Sequence, residues 1–423
     1  MRVVGVSMLG VALALAGCSD ADPPLAPSYR VVLQAEGGDL PFQMDLVEGS
    51  ADAEGRPTYE AVVHNADERV RTRDVRVTHN PLKIVVRFEP YGSTLTLLPD
   101  KKRGALAGAW VKPRPEGKVA TLMASATSDD ADVRFEPHPS GVVNADAFRG
   151  RWRIDLGEDE APGVGVFDVA PDGTATGTIM TPTGDYRYLA GRADVNMMRL
   201  STFDGGHAIL VRVSLQDDGS LLGDTSWGNW ALQTWSAARD DQASLPDPAS
   251  IATIIPDISI DHVTLRTLDG RETTLRAAVA GLGAKATLVL VFGSWCSNSA
   301  DLTEDVKTLL AEHKDEGLGV VGLAYEYAGE TERDAPRVEA YRIAHGVTWP
   351  IFLAGLSDKD KASHTLPIID KVHAFPTLIF LNASGDPVRV LTGYNGPATG
   401  TPHELFLSEA EAEIDKLLAA DPG

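Results

Sequence analysis

The chain has 423 residues, 43% hydrophobic and 23% charged, the balance of a soluble globular protein with length for two or three domains. Its formal net charge of −22 excludes a nucleic-acid partner, and it excludes membrane attachment through a basic patch. With only Cys18 and Cys296 present, a disulfide framework is excluded as well.

The chain opens with Met1-Arg2, a short basic start, and Val3 to Leu15, an apolar run too short for a comfortable bilayer span. Leu15-Ala16-Gly17-Cys18 follows at once and resembles a bacterial lipobox. Residues 1–18 are therefore expected to be a lipoprotein signal peptide, with Cys18 lipidated and anchoring the chain to a membrane. A plain signal peptide or an uncleaved anchor are the alternatives. The implied localisation is the cell envelope, facing the periplasm. Ser19, in place of an aspartate after the cysteine, favours the outer membrane.

Residues 19–28 form a polar, Pro-rich tether. Residues 29–140 then carry short β-type runs at Tyr29–Gln34, Ala61–His64, Val75–Val77, Lys83–Phe88 and Thr94–Leu98, separated by Gly, Pro, Asn and Asp. A second β-rich module, 145–239, has regular turns at Pro171-Asp172-Gly173, Pro182-Thr183-Gly184-Asp185, Asp204-Gly205-Gly206 and Asp217-Asp218-Gly219. Strand-like runs lie between them at Val164–Val169, Thr174–Met180, Met198–Thr202 and Ala208–Leu215, and both regions read as antiparallel barrels or sandwiches. Tyr186, Tyr188, Trp227, Trp230 and Trp235 are read as core packing, with a ligand-facing aromatic surface as the alternative.

Residues 240–257 read as a linker, and from 258 to 421 the pattern changes class. A leading hairpin (Ile258–Leu265, Glu272–Leu275) precedes the apolar run Ala286–Phe292, which suits a buried parallel strand. Helical periodicity follows at Ser299–His313, a strand at Leu318–Ala324, a helix at Pro336–His345, strands at Thr377–Leu381 and Val388–Leu391, and a helix at Glu404–Leu418. The order hairpin-β-α-β-α-β-β-α predicts a mixed sheet with helices on both faces. Gly393 to Gly400 is read as a structural loop.

Trp295-Cys296-Ser297-Asn298-Ser299 falls where the first core strand meets a helix. A thiol there faces unpaired backbone N–H groups and the positive end of the helix dipole, which favours the nucleophilic thiolate. Ala374-Phe375-Pro376-Thr377 leads into a later strand. Residues 254–421, through "LVLVFGSWCSNS", "VVGLAYEY", "HAFPTLIFLNASGDPVRV" and "LTGYNGPATG", resemble the TlpA/ResA-like exported thiol-disulfide oxidoreductases of the thioredoxin superfamily. Residues 145–240, through "TPTGDYRYLAGR" and "LSTFDGGHAILV", resemble a β-rich N-terminal module found in some of them.

The resemblance implies a thioredoxin-like α/β fold with Cys296 as nucleophile, Trp295 beside it, and Pro376 in the cis form against the sulfur. Phe375 would guide a substrate backbone, and Tyr325 and Glu326, closing the second core strand, are candidates for lining the groove. The chain departs from the family motif Trp-Cys-x-x-Cys at its centre: Ser299 replaces the second cysteine, and Leu302 and Leu290 stand where relatives carry acidic helpers. Serine forms no disulfide. Cys296 is thus limited to a mixed disulfide with a protein or small-molecule partner, released by an external reductant thiol. Ser299 itself suits a capping hydroxyl. A fold relic with a silent thiol is the competing reading. A one-cysteine peroxidase is a third, which Gly293, standing where such enzymes carry threonine, disfavours. No cofactor fingerprint appears, and the ten histidines show no metal-binding spacing.

Overall fold

The structure, a computed structural model, describes residues 24–89, 91–128, 133–157 and 161–420. The expected signal peptide, the lipid attachment at Cys18 and residues 19–23 of the tether lie outside the described residues. Among the described residues, no helix is long and apolar enough to cross a membrane.

Residues 28–128 form a nine-stranded antiparallel sheet. It runs from Glu68–Thr72 through Pro57–Asn65, Gly38–Ala51 and Ser28–Ala35 to Val119–Ser128, then through Ala105–Pro113, Ser93–Asp100 and Lys83–Phe88 to Val75–Thr78. Alternation drives it: Val31 and Leu33 on one strand, and Phe42 and Met44 on the next, point inward and are fully buried. The sheet curls until the Thr72 hydroxyl donates to the Arg87 carbonyl at 2.6 Å. Four of these strands were not expected. In Gly38–Ala51, Pro41 and Gly49 read as punctuation although Leu40, Phe42, Met44 and Leu46 keep the two-residue period. In Ala105–Pro113 and Val119–Ser128, alanines and glycine occupy positions where large residues would have made the period visible.

Residues 150–239 form a second nine-stranded antiparallel sheet. Gly163–Val169 pairs with both Gly150–Asp155 and Thr174–Thr181, and Gly150–Asp155 also pairs with Leu232–Arg239, so the ladder closes into a barrel. Trp152, Phe167, Leu200, Val211 and Trp235 fill it. Phe203 leaves that wall and stacks on Phe42 of the first sheet at 4.3 Å, with Phe88 and Trp110 edge-on at 5.4 and 5.5 Å. One apolar core therefore binds the first sheet to the barrel.

The third sheet has seven strands in the order Glu272–Thr274, Thr264–Arg266, Ile351–Leu356, Leu318–Glu326, Ala286–Phe292, Thr377–Leu381, Pro387–Thr392. Ala286–Phe292 and Leu318–Glu326 are parallel, while Thr377–Leu381 runs antiparallel on the other side of Ala286–Phe292. This is a thioredoxin-like strand order. Every residue of Ala286–Phe292 is buried because both faces are covered. Leu288, Leu290 and Phe292 pack on the layer holding the helices Ser297–His313 and Thr401–Ala419, whereas Val289 and Val291 face the opposite layer. The expected element order lacked the strand Ile351–Leu356 and the helices Leu275–Ala280 and Lys359–Thr365. Expected strand Ile258–Leu265 shrinks to Thr264–Arg266, because Ile260–His262 forms a 3₁₀ turn capped by the Ser259 side chain.

Candidate functional site

Ala286–Phe292 ends in the turn Gly293-Ser294-Trp295, and the helix Ser297–His313 starts with Cys296 as its N-cap residue. The Cys296 thiol donates to the Phe375 carbonyl at 3.4 Å, and the Phe375–Pro376 bond is cis. The Ser299 hydroxyl and the backbone N–H groups of Asn298 and Ser299 turn toward the sulfur. Cys296 is nevertheless only 9% exposed. Burial pushes its thiol above the ordinary value, outweighing those donors and the positive charge of Lys112. This corrects the expectation of a helix-stabilised thiolate: the donors are present, but removing the sulfur from water outweighs them.

The barrel faces the cysteine across a cavity. This cavity, of about 300 Å³, lies over the sulfur. Its floor comes from the α/β region through Cys296, Ser297, Asn298 and Phe375, and its walls come from the barrel through Gly184 to Arg187, His207, Ile209 and Trp227. Tyr186 and Trp227 meet edge-to-face at 4.7 Å within that wall, so part of the aromatic group expected as packing faces the cavity. Trp235 keeps the expected core role, its indole N–H donating to the Thr225 hydroxyl at 3.0 Å.

Polar links stitch the barrel to the α/β region around this cavity. His207 Nδ1 lies 2.8 Å from the Ser297 hydroxyl. The Asp185 carboxylate accepts from the Gly396 N–H at 2.6 Å, and its carbonyl accepts from the Asn298 amide at 3.4 Å. Gly393 to Gly400 is therefore part of the junction, and a Cβ at Gly393 would fall 2.0 Å from the Pro182 carbonyl oxygen. Arg187 is buried and joins all three bodies, pairing with Glu68 of the first sheet, with Asp301 of the cysteine helix, and with Asp204 of the barrel at 3.4 Å. Burial works against the Arg187 charge, but the three carboxylates hold it firmly protonated. Burial pushes the Asp301 carboxyl up to about 7 despite Arg187. Burial would raise Asp204 too, yet His207 and Arg187 hold it well below the usual carboxylate range. His207 is pushed down, first by burial and then by the Lys112 charge.

Lys112, from the first sheet, reaches the same place. It is 1% exposed, and its ammonium donates to the Gly206 carbonyl at 2.5 Å and to the Trp295 carbonyl, next to Cys296, at 3.5 Å. Burial brings it down to about 8, against the pull of Asp204.

The structure brings Cys296, Ser299, Phe375 and Pro376 together. Ser299 is fully buried, and its hydroxyl also accepts from the Gly293 N–H at 3.5 Å. Trp295 does not line the cavity. Its ring stacks on Tyr327 at 5.4 Å and its indole N–H donates to the Tyr325 carbonyl at 2.9 Å, which fastens the turn to the neighbouring strand. Tyr325 and Glu326 do not line a groove. Tyr325 is fully buried among apolar side chains with its ring 5.4 Å from Phe375, and Glu326 accepts two 2.8 Å bonds from Ser294. Sequence reasoning missed Lys112, Arg187, Asp204 and His207. The last three lie in "TPTGDYRYLAGR" and "LSTFDGGHAILV", the two barrel stretches that carried the resemblance. Among the described residues, the trio Glu312, His313 and Glu411 brings potential ligand atoms within 4.8 Å of one another. The sequence spacing had not grouped them.

No protein-family model matches the chain, and no curated protein matches it. Among solved structures, the chain is similar to a thioredoxin-family thiol:disulfide interchange protein from Chlorobium tepidum TLS, at 20% identity over 37% of this chain and 92% of that one, with TM-score 0.27. It is similar to a putative protein disulfide isomerase from Bacteroides thetaiotaomicron at 18% identity, covering 40% and 89% of the two chains, with TM-score 0.28. A secreted Mycobacterium tuberculosis disulfide oxidoreductase matches at 14% identity over 36% and 95%, with TM-score 0.26.

Proposed function

We propose that the chain is an exported, envelope-facing thiol-disulfide oxidoreductase-like protein, anchored by a lipid on Cys18, in which Cys296 works alone. The observation that carries this reading is the position of the sulfur: at a helix N-terminus, 3.4 Å from the Phe375 carbonyl, in the wall of a cavity. The Cys296 thiolate attacks one sulfur of a disulfide RS–SR, a Cys296–S–SR bond forms, and RS⁻ leaves and takes a proton. A second thiol R′S⁻ then attacks the mixed disulfide on the R sulfur, frees the Cys296 thiolate and leaves as RS–SR′. The external thiol supplies what Ser299 cannot. Because burial raises the Cys296 pKa, exchange should be slow at neutral pH and accelerate as the solution becomes alkaline.

The same burial favours a second reading, a binding module with a silent thiol. One measurement separates them, the iodoacetamide alkylation rate of Cys296 against pH in native protein, with Cys18→Ser making it the only thiol. A native rate that climbs through the alkaline range, together with a mixed disulfide seen by mass and abolished by Cys296→Ser, supports exchange. Alkylation that needs unfolding at every pH supports the silent module.

A further inference from the structure

The cavity over Cys296 also limits what can reach the sulfur. The Phe375 carbonyl already accepts the thiol, and the barrel wall of Tyr186, His207 and Trp227 stands across from it. The space over the sulfur measures about 300 Å³, the low end for a small-molecule site, and it opens to solvent on one side. The wall is not loosely laid. Arg187 is buried in carboxylate pairs to both neighbouring bodies, and His207 is tied to Ser297 at 2.8 Å, directly after the cysteine. Displacing the barrel would strand buried charges, which opposes opening for a protein partner. Among the residues lining this space, Thr183 is exposed and Asn298 is half-buried.

We infer that the substrates of Cys296 are low-molecular-weight disulfides and thiols, admitted through the rim at Thr183 and Asn298, and that polypeptide disulfides are excluded by the barrel. This rests on the exchange reading above. The steps are those already balanced: a small RS–SR loses RS⁻ to the Cys296 sulfur, and a small external thiol removes the bound RS group as a new disulfide.

The test uses full-length Cys18→Ser protein and two 2-pyridyl disulfides with the same leaving group, one carrying a hydroxyethyl group and one a polyethylene glycol of protein size. Pyridine-2-thione release gives both rates. Native protein should favour the small reagent by more than an order of magnitude, and unfolding in urea should remove the preference. Thr183→Trp, at an exposed position on the rim, should slow the small reagent several-fold without changing the unfolded rate. Equal native rates for both reagents would overturn the size limit while leaving exchange intact. An unchanged Thr183→Trp rate would overturn the entry route. A native sulfur that reacts with neither reagent, yet reacts with both once unfolded, would overturn the inference together with the exchange reading.

Discussion

The charge that reaches Cys296 comes from a lysine some 180 positions away in sequence, since Lys112 donates to the carbonyl of Trp295. It also lies among Asp204, Arg114 and Arg337 and 6.0 Å from the Tyr91 ring centre, so its field on the sulfur is one of several. Lys112 lowers the thiol against burial, and removing it should raise the apparent Cys296 pKa. Below about pH 8, where the ammonium is charged, Lys112→Met should slow alkylation. Above that pH the variant and the parent should converge. Lys112→Arg keeps a cation and should restore part of the rate. A parallel slowing at all pH values would mark Lys112 as packing only.

At the scale of elements, Glu326 closes a fully buried strand and holds the turn before Cys296 through both Ser294 bonds. Burial raises its carboxyl to about 7, with Arg337 only partly compensating at 3.7 Å. A carboxyl raised on folding binds its proton more tightly in the folded state, so its charged form weakens the fold progressively as pH rises from the ordinary carboxylate value toward 7. Glu326→Gln should therefore gain on the parent by on the order of 2–3 kcal/mol between pH 4 and pH 8, measured by urea unfolding. A pH-independent difference would show that Glu326 titrates normally.

The same scale explains what the sequence made legible. The strand Ala286–Phe292 and the cysteine at the helix start were readable because each has a local signature, an apolar run and a capping position, while the cis proline was implied by the resemblance. Ile351–Leu356 was not, since Gly355 and Ala354 dilute its apolar run. The wall facing the cysteine was invisible for a different reason. It is built by Gly184 to Arg187 and His207, residues of another sheet, and no spacing within the α/β region encodes that approach.

At the scale of the molecule, three sheets meet at Arg187, which sits in a left-handed turn conformation with φ of 59° and sends its guanidinium to Glu68, Asp204 and Asp301. Such a hub contributes less by its own attraction than by what its removal leaves behind. Arg187→Met strands three carboxylates, two of them barely exposed, and losing one partner from a buried ion-pair network costs about 3–5 kcal/mol. Asp301→Asn removes only one partner. Because Asp301 is held at about 7, it already carries its proton part of the time at neutral pH, and the amide imitates that form. The loss for Asp301→Asn should therefore be much smaller and confined to the junction, with faster amide exchange at Gly396, which bonds the neighbouring Asp185. If the barrel is the barrier to large reagents, Arg187→Met should also narrow the gap between the small and the polymeric pyridyl disulfide at Cys296, while Asp301→Asn should preserve most of it. Equal costs for the two variants in denaturant titrations, with unchanged size selectivity, would show that the junction does not depend on this charge cluster, the first sheet and the barrel being held by their shared apolar core around Phe203.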